Sequence, residues 1–242
     1  MDLELAGKAA LITGASNGIG RAAAEGLAAE GCNLILVLRT AADLAAAKAA
    51  ITEHSTVQID TVAADLSQSS TVERLAKDFP AIDILVNNAG AIPGGSLLDV
   101  DLLCAHEAKG LRRHHQCHRH AAQTHDPEYI CGVAGNAALT AFSQSLGSVN
   151  VRDSVRVISL NPGPVETERL VNLMKKKAKD RTGNADNCRA LFKPLPFGRA
   201  CAPDEVSAMI AFLASDRCSY NSGFGRHHRR RFFRREPLAF DF

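Results

Sequence analysis

The stretch KAALITGASNGIGRAAA, residues 8–24, decides the fold of this 242-residue chain. An apolar run over residues 9–13 predicts a short β-strand, and an alanine-rich segment that reaches about Glu30 predicts a helix. Three glycines punctuate the turn between them: Gly14, Gly18 and Gly20. Strand, glycine turn and helix in this order predict a site for a dinucleotide pyrophosphate, because the positive end of the helix dipole faces an anion. A glycine turn without a ligand is the structural alternative.

The composition is typical of one sizeable globular α/β domain. The chain is 46% hydrophobic with a net charge of +2, and no apolar run approaches the roughly 20 residues that span a bilayer. The N-terminal MDLELAGK has neither the basic nor the apolar region of a secretory signal. Seven scattered cysteines without a CxxC pair predict reduced thiols, so we expect a cytoplasmic protein.

Apolar runs alternate with helical patterns through the first half of the chain. Strands are predicted over 33–38, 57–63 and 82–86, and helices over 41–54 and 67–77. This alternation predicts a doubly wound parallel sheet.

The end of the second strand bears on the choice of cofactor. A carboxylate there would bind the 2′-hydroxyl of NAD, but this chain has Leu38 followed by Arg39. A guanidinium favours the 2′-phosphate of NADP. NADP is therefore the expected cofactor and NAD the alternative; an ordinary solvated arginine is the competing interpretation of Arg39.

Several motifs, in this order and spacing, resemble the short-chain dehydrogenase/reductase family. They are TGASNGIG (13–20), DLS (65–67), NNAG (87–90), NPGPVET (161–167) and the segment 202–216. The resemblance implies a Rossmann-type single domain, an NAD(P) cofactor, and hydride exchange between the nicotinamide and the alcohol or carbonyl carbon of a small-molecule substrate. Family members usually form homo-oligomers.

The resemblance also implies roles for the residues at matching positions. Those on the pyrophosphate side are Gly14, Ser16, Gly18, Ile19 and Gly20. Arg39 faces the 2′-phosphate, while Asp65 and Leu66 flank the adenine. The residues that line the cofactor cleft are Asn88, Ala89 and Gly90. Those that hold the carboxamide end are Pro162, Gly163, Val165 and Thr167.

Residues 101–128 break the family pattern. They hold six of the nine histidines and no Val, Ile, Phe or Tyr, so we predict no buried strand there. Only 38 residues separate Gly90 from Tyr129, where a helix, a strand and loops need about fifty. The fifth strand is therefore expected to be missing or unrecognisable, together with the family's serine and structural asparagine.

Three interpretations compete for the histidine-rich run 114–120. Imidazole and thiolate suit a zinc or copper site, a solvated basic loop is the second interpretation, and a stretch translated in the wrong reading frame is the third. We favour the third, because the composition changes abruptly at both edges, and we expect no metal.

Tyr129 is the predicted catalytic residue. In the family a tyrosine gives or takes the proton at the substrate oxygen, and a lysine four residues later lowers its pKa. Tyr129 has Val133 at that position; aligned by the apolar pattern instead, Gly132 and Asn136 take the two places. Asn136 can supply part of the lysine's positioning role without its charge. A packing or substrate-pocket tyrosine is the alternative.

The C-terminal half regains the pattern with a strand over 155–160 and a substrate-covering segment, 167–196, whose Lys175–Lys179 run predicts a solvated helix face. The domain is expected to span 1–223, with an uncertain seventh strand and a basic, disordered tail over 224–242. Arginines interleaved with phenylalanines in this tail would suit nucleic acid, but a second frame change is simpler, so neither nucleic acid nor membrane is an expected partner.

The sequence thus predicts an NAD(P)-dependent oxidoreductase. The alternative is a catalytically impaired nucleotide-binding protein, because the family's serine and lysine are missing, and on that ground we expect this chain to turn over poorly.

Overall fold

The computed structural model describes residues 1–90, 116–117 and 130–227, which form an α/β structure on parallel strands. The elements of the first half are β1 Ala9–Thr13, α1 Gly18–Ala29, β2 Asn33–Leu38, α2 Ala41–Thr52, β3 Ile59–Ala63, α3 Ser69–Asp78 and β4 Ile84–Val86. Those of the second half are β5 Gln116–Cys117, α4 Ile130–Val149, β6 Ile158–Asn161, α5 Glu168–Thr182, α6 Pro203–Ala214 and β7 Phe224–His227. Short 3-10 helices lie at Asn150–Asp153, Ala185–Phe192, Pro196–Gly198 and Asp216–Cys218.

The first four strands form one parallel sheet in the order β3-β2-β1-β4. Ala10 of β1 lies opposite Leu34 of β2 on one side and Ile84 of β4 on the other. The strand order reverses at β1, and ligands of open parallel sheets bind at the carboxyl ends beside such a reversal. The predicted doubly wound parallel sheet is confirmed.

Both faces of this sheet are covered, which explains why β2 is apolar from Leu34 to Leu38. Leu34 and Leu36 belong to a core cluster that includes Leu27 of α1 and Val206 and Ile210 of α6. The alternating residues Ile35 and Val37 pack on the opposite face with Leu11 and Leu75. Helices α1 and α6 therefore bury their apolar faces against the same side of the sheet.

The expectation of a missing fifth strand is corrected. Gln116 and Cys117 lie inside the segment predicted to hold no buried strand, and they pair in parallel with Ser159 and Leu160 of β6. Ladder hydrogen bonds join backbone groups, so a two-residue strand forms without the β-branched side chains on which the prediction relied.

The seventh strand, uncertain from the sequence, is present in β7. Its four residues pair in parallel with Ile158–Asn161. The amide of Gly223 donates to the Val157 carbonyl at 3.0 Å and starts this register. The predicted domain boundary at 223 thus falls directly before a strand of a second, three-stranded sheet of order β5-β6-β7, and four residues assigned to the tail belong to that strand.

In the described part of the chain, no helix is both long enough and apolar enough to cross a membrane.

Candidate functional site

The glycine turn connects β1 to α1 at the carboxyl edge of the sheet. Gly14 and Gly18 have φ angles of +71° and +58°, a region that side chains disfavour. A Cβ at Gly20 would collide with the Gly14 carbonyl oxygen and with Asn88 Nδ2. Glycine at position 20 is thus what lets α1 begin this close to the strand.

The start of α1 is open toward an anion. Asn17 precedes the helix with an extended backbone and makes no side-chain cap, and the first turn carries no acidic residue. Ser16 is half-buried beside it, while Ile19 packs against the core. The first N–H groups of the helix and its positive dipole end are therefore arranged to receive a phosphate.

A buried hydroxyl joins the glycine turn to the end of β4. Thr13 is 4% exposed, and its Oγ1 accepts hydrogen bonds from the backbone amides of Asn88 and Ala89, both at 3.0 Å. Asn88 Nδ2 in turn donates to the carbonyl oxygens of Gly14 at 3.0 Å and Thr13 at 3.3 Å. Sequence reasoning missed Thr13; the available signal was a single hydroxyl residue at the end of an apolar strand.

The segment that follows β6 closes the site from the other side. The methyl group of Thr167 lies 3.1 Å from where a Cβ on Gly18 would be, so residues about 150 apart in sequence meet here. Thr167 also begins α5, since its Oγ1 accepts from the Leu170 amide at 3.4 Å. Val165 is buried and pairs with Cys201, which fixes this segment against the chain before α6.

Two of the predicted site glycines border open space. Among the residues that the structure describes, no atom lies within 4 Å of where a Cβ on Gly90 or Gly163 would be. Gly90 follows β4 and Gly163 follows β6, with the buried Pro162 behind it. The described residues therefore leave space beside both glycines, at the carboxyl ends of β4 and β6.

Arg39 and Asp65 occupy the ends of neighbouring strands. The Ala64 amide donates to the Leu38 carbonyl at 2.7 Å, which brings the two strand ends together, and both side chains are exposed. The pKa of Asp65 is lowered, chiefly because the Ser67 amide donates to its Oδ1 at 3.0 Å and in smaller part by the charge of Arg39. Leu66 packs against the core from the same corner.

Two ion pairs lie near the segment that follows β6 and the start of α6. Arg189 contacts Glu166 at 2.6 Å, and Arg199 donates to both carboxylate oxygens of Glu205 at 2.7 and 2.8 Å. The Arg199 guanidinium, helped by the Ala202 amide, lowers the pKa of Glu205 to about 2.

The predicted catalytic tyrosine, Tyr129, lies outside the described residues. The helix that follows it, α4, begins at Ile130 and carries Val133 half-buried and Asn136 buried. In neither alignment register does α4 therefore offer a lysine to a tyrosine. Most of the histidine-rich run 114–120 also lies outside the described residues, and in the described ranges no three His, Cys, Asp or Glu residues are grouped to hold a metal ion.

Comparison with known proteins identifies the kind of chain that carries this site. Residues 8–103 match the family model of short chain dehydrogenases, and residues 118–227 match that of enoyl-(acyl carrier protein) reductases.

Individual relatives are similar over nearly their whole length. The chain is 28% identical to the 3-oxoacyl-acyl-carrier-protein reductase of Escherichia coli, over 91% of this chain and 95% of the relative. It is 29% identical to the meso-2,3-butanediol dehydrogenase of Serratia marcescens, over 89% and 90%. The crystal structure of L-sorbose reductase from Gluconobacter frateurii, complexed with NADPH and L-sorbose, superposes with a TM-score of 0.81 at 29% identity, covering 94% of this chain and 97% of that one. All three names describe an enzyme, which favours the oxidoreductase over the catalytically impaired alternative.

Proposed function

This chain belongs to the short-chain dehydrogenase/reductase family and is an NAD(P)-dependent oxidoreductase of alcohol or carbonyl substrates; we propose that it uses NADP, bound along the sheet edge from Arg39 to Thr167. The observation that carries this proposal is the contact between the glycine turn and the segment after β6, which places Gly18 against Thr167. The anion site at the glycine turn of the first sheet then lies beside a residue that follows β6 of the second sheet.

The glycine turn fits a pyrophosphate. Gly14, Gly18 and Gly20 keep side chains away from the turn, and the uncapped amides of the first helical turn are the donors. We assign Ser16 and Ile19 to the same group, since they lie between the glycines.

Arg39 is assigned to the 2′-phosphate of the adenosine ribose. Its side chain is exposed at the end of β2, where no carboxylate stands to bind a free 2′-hydroxyl or to repel a phosphate. Asp65 and Leu66, at the neighbouring strand end, are assigned to the adenine. The negative charge of Asp65 near Arg39 is expected to lower the affinity for a phosphate without abolishing binding.

The remaining site residues are assigned to successive parts of the cofactor, from its middle to the nicotinamide end. The middle is assigned to Asn88, Ala89 and Gly90, which follow β4. The nicotinamide end is assigned to Pro162, Gly163, Val165 and Thr167, which follow β6. When bound, the cofactor supplies or accepts a hydride at C4 of the nicotinamide.

Tyr129 is proposed to donate the proton to the substrate oxygen. The sequence has Val133 where the family resemblance implies a lysine that assists proton abstraction, so the role proposed for Tyr129 is donation to a carbonyl rather than proton abstraction from an alcohol. We therefore expect carbonyl reduction to be the faster direction at pH 7.

The cofactor assignment is tested by Arg39→Ala. Charge-assisted hydrogen bonds contribute about 1.5–3 kcal/mol, so the Kd of NADPH should rise by about tenfold to a hundredfold while that of NADH stays within about twofold. Calorimetric titration measures both, and Arg74→Ala, an exposed arginine on α3, is the matched control. Equal losses for both cofactors would contradict the assignment.

Turnover is tested separately with NADPH and a panel that includes the carbonyl compounds corresponding to the three relatives: a 3-oxoacyl thioester, 2,3-butanedione or acetoin, and L-sorbose. Reduction that Tyr129→Phe abolishes supports the proposed acid. Tight NADPH binding without reduction of any panel member would instead support the impaired binding protein.

Localisation and assembly are proposed on separate observations. Five cysteines of the described part are free thiols, at positions 32, 131, 188, 201 and 218, which supports a reducing compartment and hence the cytoplasm. Val149 and Val155, near the end of α4, are 57% and 45% exposed, which supports self-association of copies. Cell fractionation and sedimentation, the latter with Val149→Lys, test the two proposals.

A further inference from the structure

Two buried polar atoms have no hydrogen-bond partner among the residues that the structure describes. They are Asn136 Nδ2 on α4 and Asn161 Oδ1 at the end of β6. Asn136 is 4% exposed and Asn161 is 1% exposed. One atom is a donor and the other an acceptor, and leaving either unsatisfied costs about 1–3 kcal/mol.

The C-terminal end of α4 lies against the beginning of β6. A Cβ at Gly147 would be 2.7 Å from the Val157 carbonyl oxygen. The Ser222 hydroxyl donates to the Gly147 carbonyl at 2.8 Å and accepts from the Val157 amide at 3.3 Å. Because α4 lies in the chain between the parallel strands β5 and β6, it returns antiparallel to them, and its N-terminal half lies toward their carboxyl ends.

Asn136 and Asn161 lie at similar distances from the contact between Gly147 and Val157, one measured along the helix and the other along the strand. Asn136 is eleven residues before Gly147, or about 16 Å along the helix at 1.5 Å per residue. Asn161 is four residues after Val157, or about 13 Å along the strand at 3.3 Å per residue.

The two side chains also lie on facing surfaces. On α4 the buried residues are Gly132, Asn136, Ser143 and Gly147, which share one helix face. On β6, Ile158 and Leu160 enter the core cluster beside α1 and α6, so Ser159 and Asn161 point to the opposite side of the sheet. Asn161 Nδ2 lies 3.4 Å from Ser159 Oγ, which confirms that these two share a side.

We propose that Asn136 Nδ2 and Asn161 Oδ1 together bind one hydroxyl group, either of a buried water molecule or of a ligand in the cleft. A hydroxyl oxygen accepts from the amide nitrogen while its hydrogen is donated to the amide oxygen. The site goes beyond the proposed function, which assigns no role to Asn161, and it goes beyond the positioning role that the sequence suggests for Asn136. Its position beside Pro162 places the bound hydroxyl next to the nicotinamide end of the cleft.

A double-mutant cycle with Asn136→Leu and Asn161→Leu tests the proposal, because the two explanations predict opposite signs. If a hydroxyl bridges the pair, each single substitution strands a buried group and lowers the folding equilibrium constant by about tenfold or more. The folding equilibrium constant of the double variant then falls by a much smaller factor than the product of the two single-variant factors. If nothing bridges them, removing an unsatisfied amide leaves stability unchanged or raises it, and the two effects simply multiply.

Urea unfolding without cofactor and the Kd of NADPH distinguish the sources of the hydroxyl. Coupling in the cofactor-free unfolding indicates a water, and coupling confined to the NADPH Kd indicates a ligand hydroxyl; both support the proposal. The control cycle pairs Asn136→Leu with Ser207→Ala, a buried hydroxyl on α6 bonded to the Ala22 carbonyl at 2.7 Å, and should show no coupling. Alanine in place of leucine gives a second cycle if a variant does not fold.

Crystal structures with and without NADPH complete the test. An oxygen atom within about 3 Å of both asparagines supports the site. A direct hydrogen bond between the two asparagine side chains overturns the proposal. So do effects of the two substitutions that simply multiply both in urea unfolding and in the Kd of NADPH.

Discussion

Replacement of Thr13 by valine removes one oxygen atom and leaves the shape of the side chain nearly unchanged. The Thr13 hydroxyl is the acceptor for two backbone amides, those of Asn88 and Ala89, and it donates over a longer 3.4 Å to the Val86 carbonyl. Thr13→Val therefore separates the contribution of these hydrogen bonds to the free energy of unfolding from the contribution of side-chain packing.

The expected loss follows from the two stranded amides. A buried donor without an acceptor costs about 1–3 kcal/mol. Asn88 and Ala89 are half-buried, so water reaches them in part, and the lower end of this range applies to each. We expect Thr13→Val to lower the free energy of unfolding by about 2–4 kcal/mol, a large share of the 5–15 kcal/mol typical of a domain.

Thr13→Ser is the matched control, because it keeps the oxygen and loses only a methyl group. That loss costs about 1 kcal/mol of buried apolar surface. Urea unfolding followed by far-ultraviolet circular dichroism measures both variants. Since the same amides shape the wall of the cofactor cleft, the Kd of NADPH should also rise by about tenfold in Thr13→Val and little in Thr13→Ser.

The order of the two variants decides the matter. If Thr13→Ser is as destabilising as Thr13→Val, the hydroxyl contributes nothing, and packing of the methyl group accounts for the stabilisation by Thr13. In that case the link between the glycine turn and β4 would rest on the Asn88 side chain alone.

Three further outcomes are expected elsewhere in the fold. The guanidinium of Arg156 donates to four carbonyl oxygens around the end of α6, at 2.7 to 3.3 Å. Arg156→Met should therefore lower the free energy of unfolding in urea by about 2–3 kcal/mol. Arg156→Lys should lose less, because an ammonium group replaces only some of these hydrogen bonds. The depressed pKa of Glu205, held mainly by Arg199, means that the unfolded chain binds the extra proton between about pH 5 and pH 2. Stability supplied by Glu205 is full above this window and is lost as the pH falls through it, so acid unfolding curves of wild type and Glu205→Gln should converge toward pH 2. Gly20→Ala places a methyl group on the Asn88 amide and the turn backbone and should weaken NADPH binding at least tenfold in a calorimetric titration.

The first half of the fold could be predicted from the sequence because its signals are local. The apolar run of β2 and the spacing of Gly14, Gly18 and Gly20 each specify an element without reference to distant residues. Strand ends were displaced by a residue or two, as for β3, predicted from Val57 and observed from Ile59. Pairing is decided by the neighbouring strand, and Ile59 lies opposite Leu34.

The rest was out of reach because it depends on pairing across the chain. Nothing in Gln116 or Cys117 predicts a strand; their backbones follow β6. Nor did position 13 reveal a partner 75 residues away. The structure brings the glycine turn next to Asn88 and Thr167, while the assignment of these residues to the cofactor and of Tyr129 to the substrate stays a prediction.

The shared core of α1 and α6 has a consequence for how the protein is made. Leu27 and Leu36, from the nucleotide half, bury themselves together with Val206 and Ile210, which leave the ribosome more than 160 residues later. Until then this face of the first sheet is covered by α1 without α6, although every strand and turn needed for the glycine site is already synthesised. We expect the nascent chain to hold an exposed apolar surface through most of translation and to gain its cofactor site only as α6 emerges. The part of the sequence that identifies the fold is therefore among the first to be made and among the last to be completed.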